Sequence, residues 1–164
     1  WFLSWHLGMV KGYPKAVDAL EIQPRLLGID YGDVRIGLAV SDELGFLAHP
    51  LETIYCRKTH PLKRIAEIVA EKQISKIILG LPLRLDSSEG PAAEKVRAFS
   101  DRLRKEVSSI PIEFIDESYS TMDAQKQLHA NGKNTKNSKG VIDQAAAAVI
   151  LQSYLDNSSP TFLD

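Results

Sequence analysis

Residues 25–42 read RLLGIDYGDVRIGLAVSD, and this stretch decides the fold. An apolar run ends at Asp30, and the nearby Gly32 tolerates the backbone angles of a tight turn. The chain then resumes as an apolar strand from Val34 to Ser41, and Leu44 to Tyr55 can form a third strand after a short polar turn. Three consecutive strands with short connections predict an antiparallel meander.

Helices and strands alternate after the meander. Pro61 to Lys72 and Pro91 to Leu103 each repeat apolar residues at helical spacing behind an initial proline. Between them, Lys76 to Leu81 is a short apolar run typical of a strand buried on both faces, and Ile110 to Asp116 is the last strand. Because helices connect these strands, we expect them to pair in parallel.

The C-terminal part combines a short helix, a polar loop and a long helix. The sequence predicts a helix from Ala124 to Ala130, an exposed loop from Asn131 to Gly140 and an alanine-rich helix from Val141 to Leu155. The whole order predicts an α/β fold of ribonuclease H-like type: a mixed five-stranded sheet, three antiparallel strands then two parallel ones, with helices on both faces.

Length and composition indicate one ordinary globular domain. The chain has 164 residues, of which 44% are hydrophobic and 25% are charged, so neither disorder nor a membrane span is expected. We assign residues 25–157 to the domain, 1–24 to a non-core extension and 158–164 to a tail. Cys56 is the single cysteine, which fits a reducing compartment and predicts a cytoplasmic protein. The net charge of -1 restricts any nucleic-acid contact to a local basic patch.

Three acids stand at positions where a carboxylate needs a partner. Asp30 ends the first strand, Glu117 follows the last strand, and Asp143 is predicted in the first turn of the terminal helix. Acids at strand ends commonly bond to a loop, pair with arginine or hold a metal, and an acid at a helix start is favoured by the helix dipole. Adjacent strand residues point to opposite faces, so only one of Asp116 and Glu117 can join Asp30. The spacing does not choose between them.

A convergence of these acids would require a cation. Carboxylates without accompanying cysteine or histidine favour Mg²⁺ or Mn²⁺ over Zn²⁺. Such a site suits phosphodiester cleavage, in which two ions can activate water and stabilise the leaving oxygen.

Five segments of the chain resemble the YqgF family of ribonuclease H-like nucleases, which are described as Holliday junction resolvases and as nucleases that mature the 5′ end of pre-16S ribosomal RNA. The segments are GIDYGDVRIGLAVSD (28–42), GLP (80–82), DSSEGP (86–91), DESYST (116–121) and KGVIDQAAAAVILQSYL (139–155). The resemblance implies that Asp30, Glu117 and Asp143 are the catalytic carboxylates and the metal ligands. It therefore selects Glu117 over Asp116.

The substrate implied by the resemblance is structured RNA or branched DNA. Arg35, Lys133, Lys136 and Lys139 can supply positive charge for phosphates, although lysines in a polar loop are often ordinary solvated charges. Ser118 stands where the family usually has an arginine, which removes one cation beside the acids. We expect a monomer or weak homodimer that does not bind membranes.

Two alternative functions share these residues. Asp30 and the following hairpin are also similar to the first phosphate loop of actin-like ATPases, but those proteins bind nucleotide between two such domains and this chain offers one. A non-catalytic nucleic-acid or ribosome-associated binding module is the other alternative, and Ser118 keeps it open.

Overall fold

The structure of the protein is a computed structural model that describes residues 22–117 and 135–158, without the side chains of 135–138. Within these ranges the elements follow in the order β1 (Arg25–Asp30), β2 (Arg35–Ser41), β3 (Ala48–Tyr55), α1 (Pro61–Glu71), β4 (Ile74–Leu81), α2 (Pro91–Glu106), β5 (Ile112–Asp116) and α3 (Thr135–Ser158).

The described strands form one mixed sheet of five strands in the order β3-β2-β1-β4-β5. The pairs β1 with β2 and β2 with β3 are antiparallel, whereas β1 with β4 and β4 with β5 are parallel. This confirms the predicted meander followed by two parallel strands. It also places β1, which carries Asp30, in the centre of the sheet.

Side chains alternate between the two faces of the sheet and build a separate core on each. One face packs on α1 and α2, where Ile29, Leu79 and Phe99 are among the fully buried side chains. The other face packs on α3, with Ile78 and Leu151 buried between helix and sheet. Helices therefore cover both faces, as predicted.

Two glycines let α3 lie directly on the sheet. A Cβ atom added at Gly28 of β1 would lie 2.7 Å from Leu151 Cβ, and one added at Gly80 of β4 would lie 2.6 Å from Ile150 Cδ1. Real Cβ atoms essentially never approach a neighbour below 3.0 Å. Gly28 is thus required for the close contact with α3, because it also faces the Ala147 carbonyl oxygen at 2.9 Å, whereas a larger residue at Gly80 would require the Ile150 side chain to move.

Some predicted boundaries were wrong. Strand β3 begins at Ala48 rather than Leu44, and α3 begins at Thr135, so the predicted loop from Asn131 to Gly140 is helical in its second half. The absence of apolar residues there favoured a loop, but Gly140 packs against Tyr55 of β3 and this tertiary contact stabilises the helical turn.

Several predictions fall outside the described residues. These are the short helix from Ala124 to Ala130, residues 1–21 of the predicted extension and residues 159–164 of the tail. Among the described helices, none combines the length and apolar character that a bilayer span requires.

Candidate active site

Asp30 closes β1 on the face of the sheet that α3 covers. Its register partner is Gly37 of β2, and its side chain forms a hydrogen bond with that of Glu117. Burial of the Asp30 carboxyl is the main cause that raises its pKa, to about 10, and the Glu117 contact and the negative charges of Glu117 and Asp143 raise it further. A carboxyl group in this setting favours a proton or another cation beside it.

Glu117 follows β5 and lies on the same face as Asp30. Asp116 pairs in register with Leu81, and the Glu117 backbone N–H then donates to the Leu81 carbonyl oxygen at 3.1 Å. Because side chains alternate between the two faces along β5 and the residue that follows it, the half-buried Glu117 points toward α3, whereas Asp116 points the other way and is exposed. A Cβ atom at Gly80 would lie 3.1 Å from Glu117 Oε2, so the carboxylate rests directly over that glycine.

Asp143 comes to the site from α3, where Arg35 of β2 holds it. Arg35 Nε donates to Asp143 Oδ2 at 2.7 Å, and the Asp143 side chain is only 17% exposed. Burial raises the pKa of Asp143, and the hydrogen bond and positive charge of Arg35 oppose that increase. The backbone of Asp143 lies over Gly37, the register partner of Asp30, and the negative charge of Asp143 adds to the rise in the Asp30 pKa.

Asp143 lies deeper in its helix than the sequence predicted. The helix begins at Thr135, so Asp143 stands two turns beyond the helix start and not in the first turn. The helix-dipole explanation for this acid was therefore wrong, since the dipole acts within the first turn. Its position is instead stabilised by tertiary contacts with β2 and β3.

Strand β3 fixes the part of α3 just before Asp143. The Thr53 hydroxyl donates to the Gly140 carbonyl oxygen at 2.6 Å. A Cβ atom at Gly140 would lie 2.7 Å from the Tyr55 hydroxyl oxygen, so a larger residue there would require the Tyr55 side chain to move. Sequence analysis did not identify Thr53 or Gly140, although a glycine inside a helical pattern is a signal of close packing.

The predicted basic residues have different surroundings. Arg35 faces Asp143, while Lys139 is exposed on α3. Lys133, Ser118 and the side chain of Lys136 lie outside the described residues. The nucleic-acid contacts of all four basic residues stay predictions.

The donor set of the site consists of carboxylate oxygens, which hard divalent cations prefer. The hydrogen bond between the Asp30 and Glu117 carboxyl groups requires a proton on one of them, and a divalent cation is the alternative that would allow both to ionise. In the part of the chain that the structure describes, no group of three or more His, Cys, Asp and Glu residues is arranged to hold a metal ion. The acids thus form a contacting pair and a third member that is bonded to arginine.

Comparisons with known proteins agree on one family. The family model described as RuvX, Holliday junction resolvase, matches residues 24–157. A protein of Fusobacterium nucleatum subsp. nucleatum is 44% identical over 135 residues, which cover 80% of this chain and 96% of the relative. A protein of Anaeromyxobacter sp. (strain K) is 40% identical over 137 residues, covering 83% and 99%. Both relatives are provisionally named pre-16S rRNA nucleases.

A solved structure shows the same fold. It is T. thermophilus RuvC in complex with Holliday junction substrate, which matches with a TM-score of 0.52 and 17% identity over 84% of this chain and 98% of that chain. The predicted ribonuclease H-like fold is confirmed by this match.

Proposed function

The chain belongs to the RuvX (YqgF) family of Holliday junction resolvases, and on that premise we propose that it is a divalent-cation-dependent nuclease whose cation ligands are Asp30, Glu117 and Asp143. The observation that carries the proposal is the contact between the half-buried side chains of Asp30 and Glu117, with the backbone of Asp143 over Gly37, the register partner of Asp30. The preferred cation is Mg²⁺, or Mn²⁺ in its place, because the donors are all oxygens.

The reaction is hydrolysis of a phosphodiester bond in structured nucleic acid. When bound, the cation supplies charge neutralisation of the phosphate and activation of water. The protein positions the acids: the ends of β1 and β5 hold Asp30 and Glu117, and the contact of α3 with the sheet holds Asp143. The cover of α3 over this face also limits the access of bulk water to the acids.

Two substrate classes follow from the family and its relatives. The relatives' names favour pre-16S ribosomal RNA, of which the family resemblance implies cleavage at the 5′ end, and the family description favours Holliday junctions. Exposed Lys139 supports a phosphate contact on α3, together with Arg35, Lys133 and Lys136 as further candidates. We place the protein in the cytoplasm, as a monomer or weak homodimer, in keeping with its lone Cys56.

Substitutions of the proposed ligands, with Asp116 beside Glu117 as a control position, test the proposal. We expect Glu117→Gln and Asp30→Asn to lower the Mg²⁺-dependent cleavage rate at least about a hundredfold, since each removes a ligand charge. Asp116→Asn is the matched control, because Asp116 is the adjacent acid on the opposite, exposed side. Cleavage is measured on a four-way DNA junction and on a precursor RNA that contains the 5′ end of 16S rRNA.

Two outcomes of these cleavage assays would count against the proposal. One is that the wild-type protein with Mg²⁺ cuts neither substrate. The other is that Glu117→Gln retains as much activity as Asp116→Asn. The second result would show that the contact of Glu117 with Asp30 has no role in the chemistry.

A further inference from the structure

The ion pair between Arg35 and Asp143 joins two elements that are distant in sequence. Arg35 is the first residue of β2, and Asp143 lies 108 residues later in α3. The Nε–Oδ2 distance is 2.7 Å, and the two side chains are 29% and 17% exposed. Limited exposure makes such a pair stronger than one on the open surface.

The same carboxylate is required by the proposed cation site, on which this inference rests. A guanidinium and a divalent cation that bind one carboxylate repel each other at close range. The structure has Asp143 bonded to Arg35 while Asp30 bonds to Glu117. No set of three acids among the described residues is arranged around a cation position.

We propose that Arg35 competes with the divalent cation for Asp143 and acts as a latch on the third carboxylate. In the latched state Arg35 balances the charge of Asp143 and secures α3 against β2. When the cation binds at Asp30 and Glu117, Asp143 exchanges its bond to Arg35 for the cation. Arg35 is then free to face a phosphate of the substrate, which agrees with its predicted nucleic-acid contact.

Calorimetric titration with MnCl₂ tests the competition on the metal-free full chain. Arg35→Gln removes the competing cation, so we expect it to bind Mn²⁺ about tenfold more tightly than the wild type. The matched control is Arg64→Gln. Arg64 also forms a short ion pair, with Glu52 at 2.8 Å, but Glu52 lies on the strand face opposite the acids, and this variant should bind Mn²⁺ as the wild type does. Unchanged or weaker binding by Arg35→Gln would overturn the latch.

A double-mutant cycle separates competition for Asp143 from a general effect of charge. In the Asp143→Asn background the carboxylate is gone, so Arg35→Gln should no longer tighten Mn²⁺ binding. If Arg35→Gln still tightened binding about tenfold in that background, Arg35 would act through long-range charge and the latch would be wrong.

Thermal unfolding in a chelator provides a second readout. The latch predicts that Arg35→Gln unfolds at a lower temperature than the wild type without metal, and gains more from added Mn²⁺. If Arg35→Gln does not fold, the Kd for Mn²⁺ is measured on Arg35→Lys instead, because lysine retains the positive charge but loses the planar geometry of the guanidinium. A Kd for Mn²⁺ about threefold below the wild-type value supports the latch, and a wild-type Kd contradicts it.

The failure of this inference differs from the failure of the proposed function. If Asp30→Asn and Asp143→Asn bind Mn²⁺ as well as the wild type, the carboxylate site itself is wrong. If both variants lose Mn²⁺ affinity while Arg35→Gln gains none, the site stands and only the latch is wrong.

Discussion

The substitution Gly37→Ala, which adds one methyl group to β2, tests whether contact with the sheet fixes the position of α3. A Cβ atom at residue 37 would lie 1.9 Å from the backbone carbonyl oxygen of Asp143 and 2.3 Å from its carbonyl carbon. Ordinary van der Waals contact begins near 3.4 Å, and real Cβ contacts below 3.0 Å are essentially unknown. To accept alanine, α3 must therefore move away from β2 by at least about 1 Å.

The expected cost is large because the obstructing atoms belong to a helix backbone and cannot rotate away. Overpacking of this kind costs about 1–3 kcal/mol, and a gap of about 1 Å also weakens dispersion contacts in the cluster that contains Ile150 and Leu151. We expect Gly37→Ala to lower the free energy of unfolding by about 3 kcal/mol. For a chain of this length, that lowers Tm by about 6–12 °C.

Thermal and urea unfolding followed by circular dichroism measure this change. Gly90→Ala is the control, since its added Cβ would meet only the end of the flexible Arg84 side chain, at 2.8 Å. We expect the control to lose no more than about 1 kcal/mol, the scale of an N-cap change. If Gly37→Ala were as stable as Gly90→Ala, the contact between α3 and β2 would not fix the position of Asp143.

Two further predictions concern the contacts of β3. Arg64 donates two hydrogen bonds to the Glu52 carboxylate, at 2.8 and 2.9 Å, and holds the pKa of Glu52 below its usual value of 4.5. Glu52→Gln should thus cost about 0.5 kcal/mol at pH 7. Urea titrations should show that this difference shrinks as the pH falls below 4.5 and through the lowered pKa of Glu52, and a difference independent of pH would contradict the ion pair. Thr53→Val removes the hydrogen bond to Gly140 and should cost about 1 kcal/mol in the same assay, whereas a cost near zero would mean that the bond does not anchor α3.

The sheet could be predicted from the sequence because its strands carry strong local patterns. The run from Arg25 to Asp30 is apolar up to its final acid, and short turns after it leave little choice other than a meander. The crossover helices were equally readable from their spacing. The register of the strands and the start of α3 were not predicted, since Gly140 near the start of α3 is held by a hydrogen bond from Thr53, 87 residues earlier in the chain.

The candidate site was only partly readable. Spacing could not separate Asp116 from Glu117, and the structure does so through the alternation of β5. Arg35 was predicted to contact nucleic acid, but its ion pair with Asp143 joins residues whose proximity no local pattern encodes. The roles of Gly28 and Gly80 were also missed, although two glycines in buried strands and a run of four alanines in the last helix together indicate a close helix-sheet contact.

The distribution of the acids along the chain has a consequence during translation. Asp30 is made early and Asp143 late, so a nascent chain can complete the meander before the last helix has left the ribosome. Until α3 docks, the proposed cation site lacks Asp143 and the cover that α3 provides. Synthesis from the N-terminus to the C-terminus therefore delays the assembly of the site until the sheet that supports it has been made.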